Sequence, residues 1–212
     1  MEATKPDQRR EAGLRTRGRL IDAALDLLSE RGEDGVTLRA VTDVAGANVA
    51  AVSYHFGSLQ ALCDAAIEQA LEQYLDAQQA AVQDVPADAT VEELASAFAR
   101  PMIRSLVAGG RELAAMRIVA RAGLDPPPGW DRLSARFEEI RARVVDVLKG
   151  RLAGTVRPEL IFRTRCAAGM LNWLVLAPIG SELAQRSERQ IERLLVPIVA
   201  GALRGDSSER GA

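Results

Sequence analysis

Apolar residues recur along the chain at intervals of three and four, the spacing of a helix that buries one face. No run alternates apolar and polar positions as a half-buried strand does, so the pattern predicts an all-α fold. In residues 17–31, Ile21, Ala24, Leu25 and Leu28 form one stripe, and Gly32 follows as a stop. Thr37 is placed to cap a short helix over 38–44, and Ala45-Gly46-Ala47 makes a turn. Asn48 then caps a third helix from 49 to about 56, which Gly57 ends. Ser58 opens a long fourth helix whose positions Leu62, Ala65, Ala66, Ala70 and Leu71 carry it towards Ala81.

Residues 84–89, with Pro86, read as a loop, and Thr90 with Glu93 forms a capping box for the next helix. Further helices are predicted over 91–107, 111–122, 130–152, 158–185 and 188–203, with the proline-rich segment 125–129 as a break. Pro101, Pro178 and Pro197 fall inside these spans, where each kinks its helix or divides it. The expected organisation is a first domain over 1–62, a larger helical domain over 63–205, and a disordered tail over 206–212.

Two short helices joined by a tight glycine turn have the layout of a helix-turn-helix, whose second helix enters the DNA major groove. Val41 and Val44 on the first helix and Val52 and Phe56 on the second are expected to lock the pair against helix one. The opposite side of the second helix carries Asn48, Val49, Ala50, Ser53 and Tyr54. Small side chains there let a helix sit deep in the groove, where methyls meet thymine methyls and polar atoms reach base edges or phosphates.

Residues 16–32 (TRGRLIDAALDLLSERG), Val36-Thr37-Leu38-Arg39, Ala45-Gly46, residues 51–58 (AVSYHFGS) and Ala61-Leu62 together resemble the DNA-binding domain of the TetR family of transcriptional regulators. The resemblance spans about a quarter of the chain. It implies an N-terminal three-helix helix-turn-helix domain, a larger helical domain for ligand binding and dimerisation, and a homodimer, usually a repressor, on a near-palindromic operator. It implies backbone contacts from Thr37, Tyr54 and His55 and base contacts from Val49, Ala50 and Ser53, and Arg17, Arg39, Asn48 and Ser58 are further candidate DNA contacts. The chain departs from the family pattern at Ser53, where many members carry tyrosine, at Leu59, where many carry lysine, and at Glu33, where an aromatic often stands.

Charge bears on this reading because DNA affinity rests largely on neutralised phosphates. The 212-residue chain has a formal net charge of -2, yet residues 5–19 carry +4 and are expected to form a flexible basic arm. With 48% hydrophobic and 26% charged residues the composition is globular, and the longest apolar run is far too short to span a bilayer. The N-terminus lacks the apolar stretch of a secretory leader, so the cytoplasm is the expected location and no membrane contact is expected. Cys63 and Cys166 are far apart and are expected to be buried thiols, and His55 is the only histidine. No catalytic motif, metal site or cofactor is expected.

Phe98, Met102, Met116, Trp130, Phe137 and Trp173 are candidates to line a cavity for a small, mainly apolar or amphipathic effector, with Arg117 or Arg121 pairing an anionic end. Arg104 and Arg165 belong to the same group of candidate anion partners. The last two long helices supply the expected dimer interface through Leu160, Ala167, Ala168, Leu171, Leu174, Val175, Ile191, Leu194, Leu195 and Ile198. The alternative reading is a helical DNA-binding regulator or scaffold controlled by a protein partner, for which these helices pack shut without a cavity.

Overall fold

The structure, a computed structural model, describes residues 5–32, 35–124, 126 and 130–205. Its helices are α1 (Lys5–Arg31), α2 (Leu38–Ala45), α3 (Val49–Phe56), α4 (Leu59–Gln83), α5 (Val91–Ala108), α6 (Gly110–Ala122), α7 (Trp130–Arg151), α8 (Arg157–Leu176), α9 (Pro178–Leu183) and α10 (Glu188–Arg204). Among the described residues there is no strand, and no helix is long and apolar enough to cross a membrane. The chain divides into two compact units, Met1–Ala70 and Leu71–Ala212. Glu33, most of the expected break at 125–129 and the tail 206–212 lie outside the described residues.

In the first unit, α1 contacts both α2 and α3. Leu20, Ala24, Leu25 and Leu28 of α1, Val41 of α2 and Val52 of α3 are buried and hold the two short helices in place. Val44, expected in this core, is 59% exposed, because the buried side of α2 runs through Val41, Thr42 and Ala45. Phe56 is half-buried, and the Arg17 guanidinium lies 5.0 Å from its ring centre.

The segment expected as a flexible arm is instead helical from Lys5 onwards, continuous with the rest of α1. Residues 5–16 lack an apolar stripe, which is why periodicity gives no sign of a helix there. Their glutamine, glutamate, alanine and arginine residues are nevertheless good helix formers.

In the second unit, α10 lies along α5, and α8 packs against α6, α7 and α10. Leu94, Met102, Ile103, Leu106, Leu148, Leu160 and Ile191 are buried there. The predicted capping box is present, with Glu93 N–H donating to Thr90 Oγ1 at 3.2 Å and Thr90 N–H donating to Glu93 Oε2 at 2.7 Å. Three arginines of α7 hold the end of α4 and the following loop. Arg136 donates to Asp76 at 2.7 Å, Arg143 to Val85 O at 2.7 Å, and Arg151 to Ala89 O at 3.0 Å.

Pro101 and Pro197 stay within their helices, whereas Pro178 divides the predicted 158–185 helix into α8 and α9. The break lies at Ala177, whose backbone is extended (φ -77°, ψ 156°), as the residue before a proline is driven to be.

Candidate DNA-reading face and small-molecule cavity

The reading face is built from capped helix ends. Ala40 N–H donates to Thr37 Oγ1 at 3.2 Å, Ala50 N–H to Asn48 Oδ1 at 3.0 Å, and Ala61 N–H to Ser58 Oγ at 3.1 Å. Each cap uses a side chain as acceptor. The hydroxyl protons of Thr37 and Ser58 and the amide N–H groups of Asn48 are not consumed by these caps. Gly46 ends α2 in the left-handed conformation (φ 56°, ψ 44°), which makes the turn tight enough to set α3 beside α2.

On α3, Val49 is 50% and Tyr54 84% exposed, and Ala50 and Ser53 are exposed with them, while Val52 faces inward. His55 is half-buried, edge-on to Tyr54 with ring centres 4.9 Å apart. Arg39 is exposed on α2, 3.8 Å from Asp43. Residues 44–63, which include all of α3, contain no Asp, Glu, Lys or Arg. Exposed positive charge in the first unit includes Arg39 on α2 and Arg10, Arg15, Arg17 and Arg19 on α1, of which Arg17 lies over Phe56 of α3.

The second unit holds a cavity of about 330 Å³, within the roughly 300 to 1,000 Å³ typical of small-molecule sites. Tyr74, Phe98, Trp130 and Phe137 form its aromatic wall, half of the chain's eight aromatic residues. Trp130 and Phe137 stack at 5.1 Å with ring planes 27° apart, and Tyr74 lies 6.2 Å from Phe137 at 32°. Gln78, Ser134, Glu138, Arg141, Thr164, Arg165 and Asn172 add polar groups. Glu138 accepts from Arg141 and, at 3.3 Å, from Arg165. The Arg141 hydrogen bond, ahead of the attraction of both guanidiniums, holds its carboxyl below the usual range.

Of the expected effector residues, Phe98, Trp130 and Phe137 line this cavity; Met102, Met116, Arg117, Arg121 and Trp173 do not. Met102 and Met116 are each 2% exposed and pack as core. Arg117 and Arg121 lie on α6, the first half-buried and the second exposed. Trp173 is 61% exposed, because the step from the lining residue Asn172 turns it about 100° around α8. Arg165 is the member of the candidate arginine group that reaches the cavity. Tyr74, Gln78, Glu138 and Arg141 were missed by sequence reasoning. The signal for part of this set lay in α7, where Trp130, Ser134, Phe137, Glu138 and Arg141 fall at helical spacing on one face.

Burial pushes the Tyr74 phenol up to about 12 from its usual value near 10. A raised phenol pKa favours the folded, protonated form. That contribution to stability is fully present below pH 10 and is lost as pH rises towards 12. In a Tyr54→Phe variant, where Tyr74 is the only tyrosine, the phenolate absorbance should therefore appear near pH 12, and a midpoint at 10 would show an unburied phenol.

Exposed apolar side chains form two further stripes. Phe162 (66%), Cys166 and Trp173 (61%) face outward from α8, and Leu194 (45%) and Ile198 (55%) from α10. Cys166 is thus exposed, contrary to expectation, since it follows Phe162 by four residues on the outward side; Cys63 is buried as expected. Of the expected interface residues, Leu160, Ala167, Leu171, Leu174, Val175, Ile191 and Leu195 are instead buried within the unit, and Ala168 lines the cavity.

Residues 20–66 match the family model of bacterial regulatory proteins, tetR family. In fold, the chain is similar to PfmR, a TetR family transcriptional regulator from Thermus thermophilus, with a TM-score of 0.64 and 18% identity over 92% of this chain and 98% of that one. A transcriptional regulator from Rhodococcus sp. Rha1 gives 0.62 at 24% identity, over 88% of this chain and 95% of that one. AibR, solved in complex with isovaleryl coenzyme A and operator DNA, gives 0.65 at 18% identity, over 87% and 97%. No curated protein matches the chain.

Proposed function

We propose that this chain is a non-enzymatic DNA-binding transcriptional regulator of the TetR family, a cytoplasmic homodimeric repressor that leaves a near-palindromic operator when a small, mainly apolar effector fills the aromatic cavity; the family match over residues 20–66 supports this reading. The observation that carries the proposal is the conjunction of an outward, uncharged α3 face, Val49, Ala50, Ser53 and Tyr54, with an aromatic cavity in the other unit. The fold relative AibR was solved with both operator DNA and an acyl coenzyme A, which supports a fold able to hold both kinds of partner.

In this reading α3 reads base edges, and Tyr54, Thr37, Asn48 and Ser58 contact the backbone. Arg17, Arg39 and His55 border the same face. The outward stripes of α8 and α10 pair with those of a second copy, which places two α3 helices on successive half-sites. Helix α4 starts just after α3 and also supplies Tyr74 and Gln78 to the cavity, so a ligand there bears on a helix joined to the reading head. A coupling of about 1 to 3 kcal/mol changes DNA affinity by roughly 5- to 150-fold.

The test is to select operator DNA from random fragments with the full chain, then titrate apolar and amphipathic metabolites against the complex. Sequence-specific DNA released by one of them supports the reading; no selected sequence overturns its DNA half, and no releasing compound overturns its effector half.

The charge-free recognition segment makes a sharper expectation about salt. Removing residues 1–14 takes away the candidate phosphate contacts Lys5, Arg9 and Arg10 together with Glu2, Asp7 and Glu11, and should weaken binding to all sequences alike. The slope of log affinity against log salt should flatten by about 0.9 for each phosphate no longer neutralised, as measured by titration at several salt concentrations. An unchanged slope would remove α1's N-terminal turns from the interface.

A further inference from the structure

We infer that the cavity selects a small planar aromatic acid that also carries an N–H or O–H donor, an inference that rests on the effector reading above. The ring joins the Tyr74, Phe137 and Trp130 faces, the acid meets Arg141 and Arg165, and the donor meets Gln78 Oε1.

Gln78 fixes the first requirement. It lines the cavity, is 3% exposed, and donates through Nε2 to Phe98 O at 3.1 Å. That bond sets the amide's orientation, since the flipped amide would place two oxygens against each other. The opposite atom, Oε1, is buried and has no hydrogen-bond partner. A buried acceptor left without a donor is costly, so a glutamine at this position favours a molecule that brings one. Two of the lining hydroxyls are already committed. Ser134 donates to Asp131 O at 2.8 Å and Thr164 to Leu160 O at 2.8 Å, each spending its proton on its own helix.

Charge fixes the second requirement. Among the described residues, Glu138, Arg141 and Arg165 are the charged ones lining the cavity. Both guanidiniums converge on the same carboxylate oxygen, Glu138 Oε1, which leaves one positive charge in excess. A ligand carboxylate balances it, and each guanidinium has further N–H groups with which to bind. A cationic ligand meets net repulsion.

Shape fixes the third. The rings of Tyr74, Phe137 and Trp130 are inclined by 32° and 27° from one to the next and pack into one aromatic wall, against which a flat guest fits. A volume of about 330 Å³ favours one or two fused rings over a long acyl chain. The Arg165 side chain is 60% exposed and Gln78 is buried, which puts the acid towards the mouth and the donor inside.

Calorimetry on the full chain tests this with three probes of nearly equal shape. Indole-3-acetate has ring, acid and donor; benzothiophene-3-acetate lacks the donor; indole-3-acetamide lacks the charge. Indole-3-acetate should bind at least about tenfold tighter than either of the others. In Gln78→Met the gap between the two acids should fall below about twofold, and in Arg165→Gln, at an exposed position, the gap between acid and amide should shrink. Equal binding of the two acids, a gap that survives Gln78→Met, or no binding of either acid overturns the inference. If Gln78→Met does not fold, the comparison of the two acids in the parent protein still decides it. Operator titration separates this inference from the effector reading. Acids that bind in the expected order without releasing DNA overturn the effector role and leave the cavity chemistry standing, whereas release by neutral apolar compounds with no binding of the acids does the reverse.

Discussion

A chain carrying both Phe162→Glu and Ile198→Glu is expected to run as a monomer in light scattering and to bind its operator about 10² to 10⁴ times more weakly than the parent. The size of the effect follows from bivalency, since the second half-site is reached at high effective concentration only while the two reading heads are joined. Phe162 and Ile198 are 66% and 55% exposed, so glutamate there leaves the folded unit almost untouched. In the proposed dimer the same carboxylates would bring like charge into an apolar seam. A parent that is itself monomeric, or a dimeric double variant, contradicts the interface. Leu195 is unsuitable for this test because it is 4% exposed, and a charge there attacks the core instead.

The second large effect is expected from Ala50→Glu. Ala50 lies in the first turn of α3, exposed, with its N–H already bonded to Asn48 Oδ1. A carboxylate near a helix N-terminus is tolerated or mildly stabilising, so melting temperature should not fall. Against DNA the same charge faces phosphates and base edges from a segment that contains no other formal charge. Repulsion of several kcal/mol corresponds to a loss of about 100-fold or more in operator affinity. Tyr54→Ala, which removes one 84% exposed phenol, should cost about tenfold. If Ala50→Glu binds as the parent does, α3 does not enter the groove.

The helix-turn-helix was legible in the sequence because its signals are local. Thr37, Asn48 and Ser58 cap the helices they precede, Gly46 takes the left-handed turn, and Pro178 breaks a helix where its ring and the preceding residue's sterics demand. Local signals also set the limit. Val41 and Val44 look alike as apolar residues on a short helix, but one is fully buried and the other 59% exposed, which depends on where α1 lies.

The cavity was only partly legible for the same reason. Aromatic type pointed to Phe98, Trp130 and Phe137 and equally to Trp173, which faces outward. Met102 and Met116 have the flexible shape that fills core gaps as readily as it lines a site, and here they fill the core. Gln78 carries no sequence signal that separates it from Gln79, its neighbour on α4. Its significance appears only when Phe98 O takes its amide and leaves the other end unmatched.

The central claim is that two copies of this chain read two half-sites through α3. Footprinting the full protein on DNA selected from random fragments tests it most directly. The account predicts two protected major-groove segments related by a two-fold axis, with centres about 34 to 36 Å apart or a multiple of that spacing. Both should be lost together when Ala50→Glu replaces the parent. A single unsymmetrical footprint, or protection that persists in that variant, would contradict it.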